Sequence, residues 1–424
     1  MRACHRRGIA VIQDVVYNHF DGNAERAEWQ YDSTAPEQNI YYWYEGSSSD
    51  YPEPSGGYLD NGSSGFSPRF WEEPVRQLFI SSAAEFVEEF RVDGLRVDLT
   101  QAIHRDNSLH ADGRGVEAAN LFGQKLLREW SRTLRMIRPT VMLMAEDHTG
   151  WSAVTERPAV GGLGFDAAWL AGFYHGLIGD AQAGGLLREA GFGHDGPLPM
   201  GAFGDRLRES AMNKVVYHES HDEAGNAAGS MRTSRVAVND APLIGPTRDV
   251  AEARCRVAFG LSLLSPGTPM FLMGEEIVAQ KLYRYDNVAD AKEDLHGEAA
   301  GAGSTMFRFY QDLIRLRRAN RAVRSHNLDV VHSHDANRVI AFTRREATTD
   351  VLVAASLGNR PFDSYQIGAT VERIPPGTWL ETFNSDAALY GGSGGGNQGA
   401  ALPSANGRIE LRLPANGFVV LQRV

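Results

Sequence analysis

Cysteine is nearly absent from this sequence: among 424 residues only Cys4 and Cys255 carry a thiol. Two thiols cannot build the disulfide framework of a small secreted domain, and they favour a reducing compartment. Long apolar runs are also missing. No stretch reaches the roughly 18 apolar residues that a membrane-spanning helix needs. The first residues, Met1 to Gly8, are basic, but the apolar run after them covers only Ile9 to Ile12, too short for the apolar region of a signal peptide. The expectation is a soluble, cytoplasmic chain. Positive charge is in deficit, with 42 Lys and Arg against 53 Asp and Glu, a formal charge of −11. That balance offers no basic surface for nucleic acid or an anionic membrane, so neither is expected as a partner. A neutral substrate meets no such penalty.

Hydrophobic residues make up 42% and charged residues 22%, an ordinary globular mixture that excludes wholesale disorder, a collagen-like repeat and a coiled coil. The length suggests about two or three domains. No internal repeat is visible. In the first 280 residues short apolar runs end repeatedly in polar groups. Ile9-Ala10-Val11-Ile12 leads into Gln13-Asp14 and Tyr17-Asn18-His19. Val92 to Leu95 leads into Arg96 and Asp98, Val141 to Ala145 into Glu146-Asp147-His148, Val215 to Tyr217 into His218 and His221-Asp222-Glu223, and Met270 to Met273 into Glu275-Glu276. Such runs read as strands buried on both faces. Helical spacing fills the intervals at Pro74–Phe90, Val116–Leu134, Ala251–Leu264 and Met306–Arg318. Alternating strands and helices predict a parallel sheet, and polar residues at the strands' C-terminal ends fit the active face of a (β/α)8 barrel.

Two regions depart from this pattern. Between the first two strands, Trp29 to Trp71 holds 11 aromatics in 43 residues, with much Gly, Ser and Pro. It reads as an inserted loop-rich subdomain over about residues 20–72. After about Ser325 short strands separated by turns take over: Arg338–Thr343, Asp350–Ala354, Gly377–Thr382, Arg408–Leu413 and Gly417–Leu421. The expected domains are therefore a barrel over 1–325 and an all-β sandwich over 326–424. Gly391 to Gly399 reads as a flexible loop, since it lacks phosphate-binding spacing and no helix follows it.

The acids at the strand ends carry the chemistry. Arg96 and Asp98 are two residues apart on one strand and share a face. An adjacent guanidinium keeps a carboxylate ionised and oriented, as a nucleophile requires. Glu146 ends a second apolar strand, where desolvation would raise its pKa toward that of a general acid. Asp222 ends a third beside His221, His19 ends the first, and Asp14 sits within its end. Taken singly, an acid at a strand end more often caps a helix or solvates a surface. Four such ends, with Arg and His beside them, are hard to assign to solvation alone.

Asp14-Val15-Val16-Tyr17-Asn18-His19, Gly94-Leu95-Arg96-Val97-Asp98, Ala145-Glu146-Asp147 and Ser220-His221-Asp222-Glu223 resemble, in order and spacing, the four short conserved regions of the α-amylase superfamily, glycoside hydrolase family 13. The resemblance implies roles by position. Asp98 is then the catalytic nucleophile, Glu146 the general acid/base, and Asp222 the third carboxylate, which binds sugar hydroxyls. Arg96 orients the nucleophile, His19 and His221 bind the reacting sugar together with Tyr17, and Asp14 and Asn18 are structural. Asn18 matches a calcium ligand of many α-amylases, but the groups nearest this chain mostly lack that ion, so no metal and no other cofactor is expected. The implied partner is an α-glucan: glycogen, starch or a maltooligosaccharide. Aromatic faces in the insert suit the apolar faces of sugar rings.

Within the family, Ser220 and Glu223 flanking His221-Asp222 resemble glycogen branching enzymes, whereas Glu146-Asp147 and Gly225-Asn226 lean toward maltooligosyl trehalose trehalohydrolases. Branching at α-1,4-glucosidic bonds leads; α-glucan hydrolysis and an inactive glucan-binding fragment are the alternatives. In the family the first conserved region marks the third barrel strand, yet here it begins near residue 9. The resemblance therefore implies a (β/α)8-type barrel lacking its first two strands, as in a chain with its front removed.

Overall fold

The four-residue strands of the first unit are covered to different degrees: all four residues of Gly94–Val97 are buried, but only one of the four in Ile12–Val15. The computed structural model describes residues 1–19, 68, 70, 72–105, 117–179, 184–191, 195–227, 229–368 and 373–424. The chain divides into two compact units, Met1–Trp169 and Leu170–Val424.

In the first unit four parallel strands lie side by side: β1 (Ile12–Val15), β2 (Gly94–Val97), β3 (Met142–Ala145) and β4 (Ala167–Trp169). Every residue of β2 is buried. Gly94 lets β3 approach closely, because a Cβ there would stand 2.3 Å from the Met142 carbonyl oxygen. The helices Glu73–Glu88 and Glu117–Ile137 pack against each other and bring Val75, Phe79, Leu126, Leu127, Trp130 and Leu134 into one core with Val15, Leu95, Val97 and Leu143. Pro74 occupies the first turn of the earlier helix, where its missing N–H costs nothing.

The first strand is displaced from the expected run. Ile9 is 54% exposed and lies outside β1, which starts at Ile12. The shift brings Asp14 into the strand and pairs it in parallel register with Arg96. The expected aromatic subdomain falls at 20–67, 69 and 71, outside the described residues. Phe70, at its edge, is buried with its ring 6.3 Å from that of Phe79.

The second unit continues the strand–helix alternation with β5 (Lys214–Val216) and β6 (Thr268–Pro269), again parallel, and with the packed helices Pro246–Leu264 and Ser304–Ala319. The apolar run Met270–Met273 is not a strand; Phe271 and Met273 are exposed beyond the end of β6. From Leu328 the chain is antiparallel: β7 (Leu328–His334), β8 (Val339–Glu346), β9 (Thr349–Ser356), β10 (Phe362–Gly368), β11 (Gly377–Asn384), β12 (Ala401–Ala405), β13 (Arg408–Leu413) and β14 (Gly417–Arg423). They form one sheet in the order β10-β13-β12-β11-β14-β9-β8-β7. The sheet folds over a common core in which Val331, Ala341 and Leu352 meet Ile367, Trp379, Ile409 and Leu411, and β10 touches β7. The two halves thus face each other as in the expected sandwich.

This β-domain is welded to the helices before it. Gly260 presses against Phe418, where a Cβ would come within 2.2 Å of the ring. Buried Arg254 donates from Nε to Asn416 Oδ1 at 3.0 Å and from a terminal nitrogen to Asn359 Oδ1 at 3.1 Å. The glycine-rich stretch expected as a flexible loop is pinned. Asp386 accepts the Ser393 and Gly395 amides at 3.0 and 2.9 Å, and Glu381 accepts the Asn397 amide at 2.8 Å. Among the described residues, no helix is long and apolar enough to cross a membrane.

Candidate active site

In the first unit Arg96 is the hub. It is 5% exposed and reaches three carboxylates with one guanidinium. One terminal nitrogen donates to Asp14 at 2.7 Å and to Asp98 Oδ1 at 2.8 Å, and the other to Glu146 Oε2 at 2.7 Å. Only a planar fork of donors serves three acids in this way. The guanidinium also lies 4.5 Å above the ring of Trp169, at the end of β4, a cation–π contact that covers its flat face. Adjacent parallel strands explain the convergence: Asp14, Arg96 and the residue before Glu146 come from β1, β2 and β3.

Asp98 is held from two sides. Arg96 binds Oδ1, and Asn18 donates from Nδ2 to Oδ2 at 2.8 Å and to the Asp98 carbonyl at 3.1 Å. Asn18 is fully buried, and its Oδ1 lies 2.7 Å from His19 Nδ1. With Nδ2 donating to Asp98, Oδ1 accepts, so His19 donates to it from Nδ1. Asn18 is therefore more than the structural residue expected: it joins His19 to the proposed nucleophile.

Glu146 differs electrostatically from the expectation. Burial pushes its pKa up, as the sequence reading required, but contacts from His148, Arg96 and the Leu99 amide outweigh this and hold it at about 2. Leu99 N donates to Oε2 at 2.7 Å, while His148 Nε2 approaches Oε1 at 3.6 Å, an ion-pair rather than a hydrogen-bond separation. Leu99 has a left-handed backbone, φ 37°, unusual for leucine, and this conformation accompanies the amide's contact with the carboxylate.

Behind it, Asp147 is 2% exposed and accepts from Thr100 Oγ1 at 2.9 Å and Thr149 Oγ1 at 2.6 Å, with His104 Nε2 2.6 Å away. The Thr100 amide donates to the Glu146 carbonyl at 2.9 Å, so this buried group fixes the backbone that carries Glu146.

Tyr17 does not join the cluster. It is 6% exposed, its ring packs 4.9 Å from Phe79, and its hydroxyl donates to Ser82 at 3.3 Å. Burial pushes its pKa up to about 12. The substrate-binding role expected for it is replaced by a place in the core: Tyr17 follows β1 on the side facing the helices, opposite Asn18.

The second unit presents Asp222 and His221 at the start of a five-residue π-helical turn, Asp222–Asn226. The Asp222 side chain is 44% exposed, with His221 Nε2 3.4 Å from its Oδ2. Beneath this segment, His218 pairs with Glu275 at 2.8 Å and Glu219 with Arg232 at 3.0 Å, all four side chains buried. Burial pushes the His218 pKa down, but the charge of Glu275 outweighs it and the net shift is upward.

Several contributors had little sequence signal. Ala167-Ala168-Trp169 is too short and too weak a β former to announce β4, so Trp169 was missed. Leu99, His148, Thr100 and His104 act through backbone geometry or spatial neighbours that spacing does not reveal. Among the described residues no group of three or more His, Cys, Asp or Glu is arranged to hold a metal ion.

Comparison with known proteins matches residues 330–424 to the family model described as the alpha amylase C-terminal all-beta domain. Over 99% of its length the chain is 30% identical to a 1,4-alpha-glucan branching enzyme of Xanthomonas axonopodis pv. citri, covering 55% of that protein. It is 27% identical, over 99% of its length, to the 1,4-alpha-glucan branching enzyme of Marinobacter nauticus, covering 63% of it. The chain thus spans little more than half the length of these curated relatives. Among solved structures, a pullulanase from Bacillus acidopullulyticus superposes with a TM-score of 0.67 at 19% identity, over 99% of this chain and 47% of the other. An alpha-amylase from H. orenii gives a TM-score of 0.67 at 17% identity, over 100% of this chain and 82% of the other.

Proposed function

We propose that the chain belongs to the α-amylase superfamily and is a retaining α-glucan-active enzyme, with 1,4-α-glucan branching as its reaction. The observation that carries the reading is the single guanidinium of Arg96 shared by Asp98 and Glu146, two carboxylates with different surroundings. One is presented at the solvent boundary by Asn18 and Arg96; the other is buried. Two acids in unlike environments are what double displacement uses.

Asp98 attacks the anomeric carbon of an α-1,4-linked glucose while Glu146 gives its proton to the departing glycosidic oxygen. The bond to the leaving glucan breaks as the bond to the Asp98 oxygen forms. In the second half an acceptor hydroxyl returns its proton to Glu146 and displaces Asp98. A glucan 6-hydroxyl as acceptor makes an α-1,6 branch; water as acceptor gives hydrolysis. The separation expected for a retaining pair is roughly 5–5.5 Å. In this scheme Asp222, His221 and His19 bind sugar hydroxyls, while Arg96 and Asn18 position Asp98. The acid role requires that Glu146 be protonated when the sugar is bound. Excluding water increases the burial penalty on its charge and favours that change.

Branching is favoured over hydrolysis by the curated relatives, both named as branching enzymes, and by Ser220 and Glu223 around His221-Asp222. The test is to incubate the protein with amylose and follow iodine staining and reducing ends together. Branching predicts a fall in staining with few new reducing ends. A matched rise in reducing ends would replace branching with hydrolysis, and no change in either would reject the enzyme reading.

A further inference from the structure

We infer that the first unit carries a second ligand site, for a sugar phosphate, between the helix Glu117–Ile137 and the segment that leads into β4. A cavity of about 640 Å³ lies there, lined by Arg132 and Arg135 of the helix and by residues 155–159 and 164–166. That volume is in the range of small-molecule sites. The cavity stands apart from the carboxylates of the candidate active site. Residues 164–166 precede β4, whereas Asp98 and Glu146 follow β2 and β3, and the three strands are parallel.

The walls are fastened. Arg135 donates to Asp166 Oδ1 at 2.7 Å and to the Gly164 carbonyl at 3.2 Å, and Asp166 Oδ2 accepts the Leu143 amide at 2.8 Å. Within the connection, Gly164 N donates to the Glu156 carbonyl at 2.9 Å and Phe165 N to the Val154 carbonyl at 3.2 Å. Gly164 has φ 86°, and a Cβ there would fall 2.6 Å from Ser131 Oγ, so the connection lies close against the helix at this point.

Charge decides the ligand. Arg135 and Asp166 satisfy each other, and Glu156 accepts from Ser152 Oγ through one oxygen at 3.0 Å. Arg132 and Arg157 are exposed, and neither makes an ion pair or hydrogen bond with the described residues. Two guanidiniums without a carboxylate partner, bordering one cavity, suit one anionic group, and the fork of donors on each matches phosphate oxygens. Glu156 and Asp166 on the same lining repel a second phosphate, which favours a single phosphate over a diphosphate. Glu156 and the Thr155 hydroxyl also accept hydrogen bonds from hydroxyl groups. One phosphate on a polyhydroxylated body meets both kinds of group.

Calorimetric titration of the full chain with glucose 6-phosphate at low salt tests the site. The expected dissociation constant is below about 100 μM, and inorganic phosphate should bind at least about tenfold more weakly. Arg132→Ala combined with Arg157→Ala should weaken binding by about a hundredfold, the loss of two charge-assisted contacts. The melting temperature should not change, because both side chains are exposed. The corresponding double lysine variant keeps the charges and should fall between the parent and the alanine variant. No binding at about 1 mM glucose 6-phosphate, or a double alanine variant within about twofold of the parent, overturns the site. Equal affinity for inorganic phosphate and glucose 6-phosphate overturns the assignment of a sugar phosphate.

Discussion

Replacing Asp98 with alanine is expected to lower turnover of α-glucan by about 10⁴-fold or more while leaving the fold intact. The loss follows from the covalent step: without the carboxylate no glycosyl-enzyme forms, and the remaining groups only bind and polarise. The fold should survive because Arg96 keeps Asp14 and Glu146 as partners, so no buried charge is orphaned. Asp98 is itself 22% exposed at its side chain, so little packing is lost. Activity against amylose, measured beside the melting temperature, checks both halves. Residual turnover within about tenfold of the parent would remove Asp98 from the nucleophile's role.

Arg96→Met should damage stability and activity together. The guanidinium compensates three carboxylates from a site that is 5% exposed. Removing one member of a buried ionic group typically costs about 3–5 kcal/mol. The orientation of Asp98 and the pairing of Glu146 fail at once, so kcat/KM should fall by about a thousandfold. Arg96→Lys should recover part of the stability but little activity, since an ammonium has no fork with which to span Asp98 and Glu146.

The pH dependence of stability gives a second readout of the same variant. The Glu146 pKa is depressed in the folded protein to about 2. Its contribution is therefore fully present above the unfolded value of about 4.3 and is lost as pH falls through about 2. In Arg96→Met the burial of Glu146 is no longer offset by the guanidinium. Its folded pKa should rise, and that acid-side loss should shrink or reverse. Urea midpoints of parent and variant between about pH 2 and 5 measure it. Identical slopes in the two proteins would mean that Arg96 does not control this carboxylate.

What the sequence discloses about this site is the part written at strand ends. Arg96, Asp98 and Glu146 follow apolar runs closely enough for the alternation to reveal that they meet, and the parallel order places their strands side by side. The exact strand limits are less legible, because a four-residue strand embedded in other apolar residues has no marker of its own. Ile9 to Val11 are more apolar than the strand that follows them, and Met270 to Met273 are more apolar than β6, so hydrophobicity alone slides the assignment in each case. Tyr17 was misread for a related reason. It belongs to a motif with functional neighbours, but side chains after a strand alternate in direction, and its aromatic bulk is claimed by Phe79 and Trp130.

The downward shift of the Glu146 pKa was beyond reach of the sequence for a different reason. Burial is readable from an apolar run, but the Leu99 amide that opposes it depends on a left-handed backbone, and His148 depends on a local turn.

The central claim is that Asp98 forms a covalent bond to glucose. The most direct measurement is trapping with an activated fluoroglucoside that slows deglycosylation, followed by peptide mass mapping. A single fluorohexosyl adduct is expected on the peptide holding Asp98, absent from Asp98→Ala. An adduct on another carboxylate, or full turnover of the reagent with inversion at the anomeric carbon, would contradict it.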